Sequence, residues 1–214
     1  MPDQPQVDVF FSYRSPYSYL AIARLKEWAE SDGIDLQIRP VLPLAIRVPD
    51  FFARANPMLP PYILRDSLRM AEFHGIPFRW PNPDPVVMQF APLNIPKDQP
   101  YIHRLTRLGV EAARRGRSLA FTHEVSTLIW SGAVKDWSEG EHLAEAVARA
   151  GLDLEELDQV VIEDAEALDQ IIEDNQAAHE ASGHWGVPTM VYNKEPFFGQ
   201  DRIELLKWRV ANNR

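Results

Sequence analysis

The sequence predicts an α/β fold: a four-stranded mixed sheet, ordered βαβ…ββα, interrupted by an all-helical insertion. Three observations predict it. A strand–helix–strand pattern opens the chain, "VDVFFSYRSPYSYLAIARLKEWAESDGIDLQIRPV". A strand–turn–strand–helix pattern closes it, "PTMVYNKEPFFGQDRIELLKWRV". The residues between them carry helical periodicity and no clear strand.

Each element follows from its residues. Val7, Val9, Phe11 and Tyr13 alternate with Asp8, Phe10 and Ser12, the pattern of a largely buried strand. A helix runs from about Pro16 to Ser31, with Leu20, Leu25 and Trp28 on its apolar face and Gly33 as its stop. Leu36 and Ile38 mark a second strand, parallel to the first through a right-handed crossover. Residues 40–100 are rich in proline, which predicts ordered irregular loops around one helix, "YILRDSLRMAEFHG". Helices then run over roughly 101–116, 118–131, 139–150 and 153–182, the last broken near Glu163. Asp153 with Glu156 three residues later forms a capping signal. Thr189–Tyr192 is a strand, "NKE" a hairpin turn, and Phe197–Phe198 the last strand. "DRIELLKWRV" is a closing helix with Asp201 at its cap position. The division is residues 1–45 and 184–214 for the sheet domain and 46–183 for the insertion.

Composition narrows the chemistry. The 214 residues include no cysteine, so disulfides, thiol redox chemistry and thiolate metal sites are excluded within this chain. If a thiol takes part in the chemistry, it must come from a bound small molecule. The net charge of −9 disfavours a nucleic-acid partner. The segment "DLEELDQVVIEDAEALDQIIED" holds ten acids at helical spacing and reads as solvated helix faces. "HRLTRLGVEAARRGR" reads as a basic amphipathic helix. The six histidines show no ligand-spaced pair, so no metal site is expected. No stretch is long and apolar enough for a membrane span, and the first residues do not resemble a signal peptide, which makes the cytoplasm the expected location.

Three segments are candidates for a site. Ser15 suits the N-cap of the first helix and Pro16 its first position. Free N–H groups at that end favour an anion, and the Ser15 hydroxyl is either a plain cap or a donor to that anion. In "WGVPT", a cis Val187–Pro188 bond would leave the N–H and C=O of Val187 free for an extended ligand; an ordinary trans proline at a strand edge is the alternative. In "FFGQDR", Gln200 and Asp201 either simply cap the last helix, or Asp201 binds an ammonium group while N–H groups there bind a carboxylate, the two charges of an α-amino acid.

Together, "SPYSYLA", "GVPT" and "FFGQDRIELL", in this order and with "YILRDSLRMAEFHGIPF" between them, resemble a known group. The pattern resembles the thioredoxin fold in its DsbA-like form. Within it the sequence is similar to the 2-hydroxychromene-2-carboxylate isomerases and their relatives, the kappa-class glutathione transferases. The resemblance implies glutathione as the borrowed thiol, held as thiolate by the Ser15 hydroxyl. It implies that Val187, before cis Pro188, pairs with the glutathione backbone and that Gln200 and Asp201 hold its γ-glutamyl end. Asn56 matches, more loosely, an Asn–Pro step near the substrate. The implied reaction is cis–trans isomerisation of an aromatic carboxylate, in breakdown of naphthalene-like compounds, by reversible thiolate addition. A transferase or peroxidase on the same scaffold, or a non-catalytic binding protein, is the alternative. A homodimer is compatible with the family. Tyr17, Trp80 and Trp185 are candidates for an aromatic wall.

The chain departs from the family at two places. Leu59 stands where a lysine is usual, three residues before Tyr62, with Arg47, Arg54 and Arg65 as candidate replacements. "APLNIPKDQPYIHR" is unlike the commoner version and implies an altered pocket.

Overall fold

The computed structural model describes residues 4–48, 50–90 and 93–213. Strands β1 (Gln6–Phe11), β2 (Asp35–Pro40), β5 (Thr189–Tyr192) and β6 (Glu195–Phe198) form one sheet in the order β2-β1-β5-β6. β1 and β2 are parallel; β1–β5 and β5–β6 are antiparallel. Helix α1 (Pro16–Asp32) makes the crossover. It ends where Gly33 adopts φ 66°, a left-handed conformation that costs glycine little. The turn between β5 and β6 has Asn193 and Lys194 at positive φ, as a two-residue hairpin requires. The predicted mixed sheet is therefore present, and the fold class is α/β.

The inserted block contains α2 (Leu44–Arg47), α3 (Phe51–Arg54), α4 (Leu59–His74), α5 (Ile102–Arg114), α6 (Ser118–Trp130), α7 (His142–Arg149), α8 (Leu154–Glu163) and α9 (Ala165–Ala181). Asp153 caps α8 by accepting from the Glu156 N–H at 3.0 Å. The expected break falls at Asp164. The proline-rich stretch holds more structure than its prolines suggest. Two one-turn helices precede α4, and α4 begins at Leu59 because Pro60 and Pro61 occupy first-turn positions where no helical N–H is needed. A short antiparallel strand pair, β3 (Gln89–Phe90) with β4 (Leu93–Asn94), also lies in the block. The bond Asn82–Pro83 is cis.

The acidic segment is less solvated than its composition suggests. Arg104 and Arg107 of α5 make paired contacts of 2.6–2.7 Å to Asp158 and Asp169 on α8 and α9. Arg115 reaches Glu156 at 2.8 Å. The basic helix and the acidic helices face each other, which neither segment reveals alone. Such partly exposed pairs contribute at most about 1 kcal/mol each.

One residue fixes the block to the end of β1. Tyr13 is fully buried, its hydroxyl lies 3.1 Å from that of Thr122, and its carbonyl accepts from the indole N–H of Trp130 at 2.9 Å. A side chain at Gly109 would collide with the Tyr13 ring, so α5 approaches closely there. This clamp holds the chain immediately before Arg14 and Ser15. The last helix, α10 (Ile203–Asn212), packs on β5 and β6, preceded by a 3-10 turn over Gln200–Arg202. Among the described residues no helix is long and apolar enough to cross a membrane.

Candidate functional site

Ser15 is the N-cap of α1. Its hydroxyl oxygen accepts from the Ser18 N–H at 3.2 Å, and its backbone N–H bonds the Ser12 carbonyl at 3.1 Å. Its own proton points to the Val187 carbonyl oxygen, 3.3 Å away. That is long for O–H···O, where about 2.7–2.8 Å is usual, so the bond is easily exchanged for a better acceptor. Pro16 has no N–H to offer. The Tyr17 N–H, at the second helical position, has no hydrogen-bond partner among the described residues. The end of α1 therefore presents a hydroxyl and a free N–H together, at the positive end of the helix dipole. The hydroxyls of Ser12 and Ser18, residues whose backbone groups bond Ser15, are buried and lack partners among the described residues.

The Val187–Pro188 bond is cis. Val187 does not keep both backbone groups free, as the sequence suggested. Its carbonyl takes the Ser15 hydroxyl, and only its N–H is without a partner among the described residues. The Thr189 hydroxyl donates to the Gly186 carbonyl at 2.6 Å, and the Gly186 N–H donates to His184 Nδ1 at 2.9 Å, which stiffens the turn. The Gly199 N–H donates to the Pro188 carbonyl at 2.9 Å. Ser15, the Val187–Pro188 turn and the segment starting at Gly199 are thus one connected set.

Gln200 and Asp201 lie in that segment, with a correction. Asp201 is not a helix cap. It sits inside the 3-10 turn, makes no capping bond, and pairs with Arg202 at 3.0 Å. The turn arises because Gly199 (φ 103°) redirects the chain and the Arg202 N–H closes back on the Gly199 carbonyl at 3.1 Å. Gln200 is buried. Arg24 Nη1 donates to its side-chain oxygen at 3.0 Å and to its carbonyl at 2.9 Å. Burial and the Arg24 charge lower the pKa of His74, whose Nε2 lies 3.3 Å from the same nitrogen. Arg24, two helical turns beyond Ser15, could not be picked out from the sequence, because its partners lie 176 residues away.

Asn56 is exposed and bonds the Met58 N–H at 2.9 Å in a local turn. No described contact links it to Ser15, Val187 or Gln200; its neighbourhood reaches the Val187 turn through Phe51, whose ring lies 5.4 Å from that of Trp185. Among the arginines weighed against Leu59, Arg54 is exposed and paired with Asp50 at 2.8 Å, and Arg65 is exposed on α4. Arg47 is different. It donates to the Leu42 carbonyl at 2.6 Å and to the Trp185 carbonyl at 3.0 Å, which puts a cation two residues from Val187.

A cavity of about 520 Å³ lies against the residue before Ser15. Phe52, Pro60, Pro61, Ile63 and Leu64 give apolar walls; Trp80, Met88 and Arg14 complete the lining. Of the three aromatic candidates, Trp80 is a wall. Tyr17 donates its hydroxyl to Asp66 at 2.8 Å, and burial and that carboxylate push its pKa up, so it stays protonated at neutral pH. Trp185 is half exposed.

The fold and these contacts place the chain in a class: residues 6–211 match the DSBA-like thioredoxin domain, and the chain belongs to that family. Within it, the chain is 25% identical to the 2-hydroxychromene-2-carboxylate isomerase of Pseudomonas putida, over 94% of this chain and 92% of that one. A solved structure of a 2-hydroxychromene-2-carboxylate isomerase superposes with a TM-score of 0.71 at 22% identity, covering 97% of this chain and 95% of the other. The cytosolic disulfide reductase DsbM from Pseudomonas aeruginosa, solved with GSH, superposes with a TM-score of 0.61 at 16% identity, covering 96% and 99%. At these identities the two structural matches establish the shared fold.

Proposed function

We propose that this chain is a glutathione-dependent isomerase of a 2-hydroxychromene-2-carboxylate-type substrate, with the thiolate at Ser15. The observation that carries the reading is the unsatisfied end of α1: a hydroxyl in a long bond beside a free N–H, facing the Val187 turn. The P. putida relative has that isomerase's name, and the DsbM structure contains GSH.

The residues suit glutathione. The Val187 N–H is free to pair with an extended peptide backbone. Asp201 is exposed and carries the charge an α-ammonium needs, while Arg24 holds the backbone of the turn in place. Arg47 supplies a cation beside the Val187 turn in place of the family lysine missing at Leu59. Asn56 would act on the substrate side only through its loop. When bound, glutathione supplies a thiolate whose reversible addition to a conjugated carbon permits rotation about the former double bond.

This chain's residues do the rest. Ser15 and the Tyr17 N–H stabilise negative sulfur over neutral thiol, which lowers the thiol pKa. The apolar walls of the cavity orient the aromatic substrate. In this reading residues 1–45 and 184–214 hold the thiol, while 46–183 supply most of the cavity. No cysteine is needed, and without one the dithiol exchange of its disulfide-handling relatives is closed to the chain alone.

The test is a pair of assays with glutathione present: isomerisation of 2-hydroxychromene-2-carboxylate, and conjugation of chlorodinitrobenzene. The reading expects the first to be faster and to depend on glutathione. Conjugation alone would reassign the chain as a transferase.

A further inference from the structure

The cavity is apolar except at Arg14. This guanidinium is only 14% exposed, and a charge so placed needs a partner. Asp84 provides it in a forked pair, Nε to Oδ1 at 3.2 Å and Nη2 to Oδ2 at 3.0 Å. The same carboxylate accepts from the Val86 N–H at 2.9 Å and the Trp80 indole N–H at 3.3 Å. It therefore shapes the loop that supplies Trp80. Arg14 Cζ then lies 5.1 Å from the centre of the Trp80 ring, a cation–π contact. Asp84 is a positioning residue: it fixes both the cation and the ring.

Two consequences follow for a ligand. First, the pair carries no net charge, so it does not demand an anion. Second, Nη2 turns its other N–H to Met88 Sδ at 3.8 Å and Nη1 has no partner among the described residues, so one donor group remains. An Arg14 with both edges free would favour a carboxylate gripped by two oxygens. This one can serve a single oxygen.

We infer that Arg14, held by Asp84 against Trp80, is the specificity-determining residue of the cavity, and that it selects flat, apolar ligands bearing one oxygen acceptor, ketone as well as carboxylate. The inference rests on the isomerase reading for its substrate and deepens it: an altered pocket admits neutral carbonyl compounds beside aromatic carboxylates.

The experiment is calorimetric titration of the full chain with three probes sharing one skeleton: 2-naphthoate, 2-acetonaphthone and 2-ethylnaphthalene. Both oxygenated probes should bind at least about tenfold more tightly than the hydrocarbon, the worth of one charge-assisted hydrogen bond. Arg14→Met should reduce both to the hydrocarbon's level while changing the hydrocarbon less than about twofold. Asp84→Asn should raise the preference for naphthoate over acetonaphthone by about fivefold or more, because the cation is no longer neutralised. Equal affinities for the three probes in the wild type, or selectivity unchanged in Arg14→Met, would overturn the inference. Should Arg14→Met not fold, Arg14→Lys decides: it should weaken acetonaphthone at least about threefold and leave ethylnaphthalene alone, and no change overturns. Glutathione is titrated into the same proteins. No glutathione heat with intact probe selectivity defeats the isomerase reading and upholds the cavity assignment. Intact glutathione binding with no selectivity does the reverse.

Discussion

The Ser15 hydroxyl lies 3.3 Å from the carbonyl oxygen of Val187, across 172 residues of sequence. This contact joins the first helix start to the cis-proline turn. It also shows how a serine can cap a helix and remain available: its lone pair serves the Ser18 N–H while its proton sits in a long bond.

Ser15→Ala removes both functions. Loss of the cap should cost about 0.5–2 kcal/mol of stability, measured by chemical denaturation. Glutathione affinity and isomerase turnover should fall at least about tenfold, the worth of a lost hydrogen bond to a charged group. A variant with full activity would separate Ser15 from the chemistry.

Gly186→Ala tests the shape of the turn. An added Cβ would collide with the Phe198 ring, with Cζ 2.8 Å away, and Phe198 is itself stacked on His184 at 3.9 Å. The turn must shift, at a cost of about 1–3 kcal/mol. Glutathione binding should weaken with it. Unchanged melting and binding would mean that the turn is softer than described.

Arg24→Ala should release Gln200. The Gln200 carbonyl and side-chain oxygen both lose their Arg24 donor. We expect a stability loss of about 1–3 kcal/mol. Glutathione affinity should fall without any change in the affinity of the aromatic probes. An equal loss for both ligand types would place Arg24 in general stability only.

His179 predicts a pH dependence. It is fully buried, stacked on Phe10 at 4.6 Å, and neither ring nitrogen has a hydrogen-bond partner among the described residues. Burial, and then the Arg47 charge, push its pKa down to about 4. The folded protein therefore resists a proton that the unfolded chain takes up near its ordinary value of about 6.5. Its contribution to stability is full above that value and is lost as pH falls toward about 4. Denaturation midpoints should drop across this window by an amount worth about 1–3 kcal/mol, and His179→Phe should flatten the dependence. The same slope in both proteins would assign it to other groups.

What the sequence made legible was local. Alternation gave β1, Ser15–Pro16 and Gly33 bounded α1, and Asn193–Lys194 marked the hairpin. What stayed hidden needed a partner far along the chain. Asp201 looked like a cap because the bend made by Gly199 is tertiary. Arg24 and Gln200, or Arg14 and Asp84, signal nothing until folding brings them together. The short helices α2 and α3 lack the periodicity that betrays longer ones. Ser15–Pro16 and the Val187–Pro188 turn, where the proposed thiol would sit, are local devices and so stand out in the sequence. The cavity does not, because it is assembled from separate segments.

The central claim is that the end of α1 stabilises a borrowed thiolate. It is tested most directly by titrating the ultraviolet thiolate absorbance of glutathione bound to the wild type and to Ser15→Ala. The account predicts a bound thiol pKa at least about one unit below the ordinary thiol value of about 8.5, rising toward that value in Ser15→Ala. An unshifted pKa in the wild type, or an equal shift in both proteins, would contradict it.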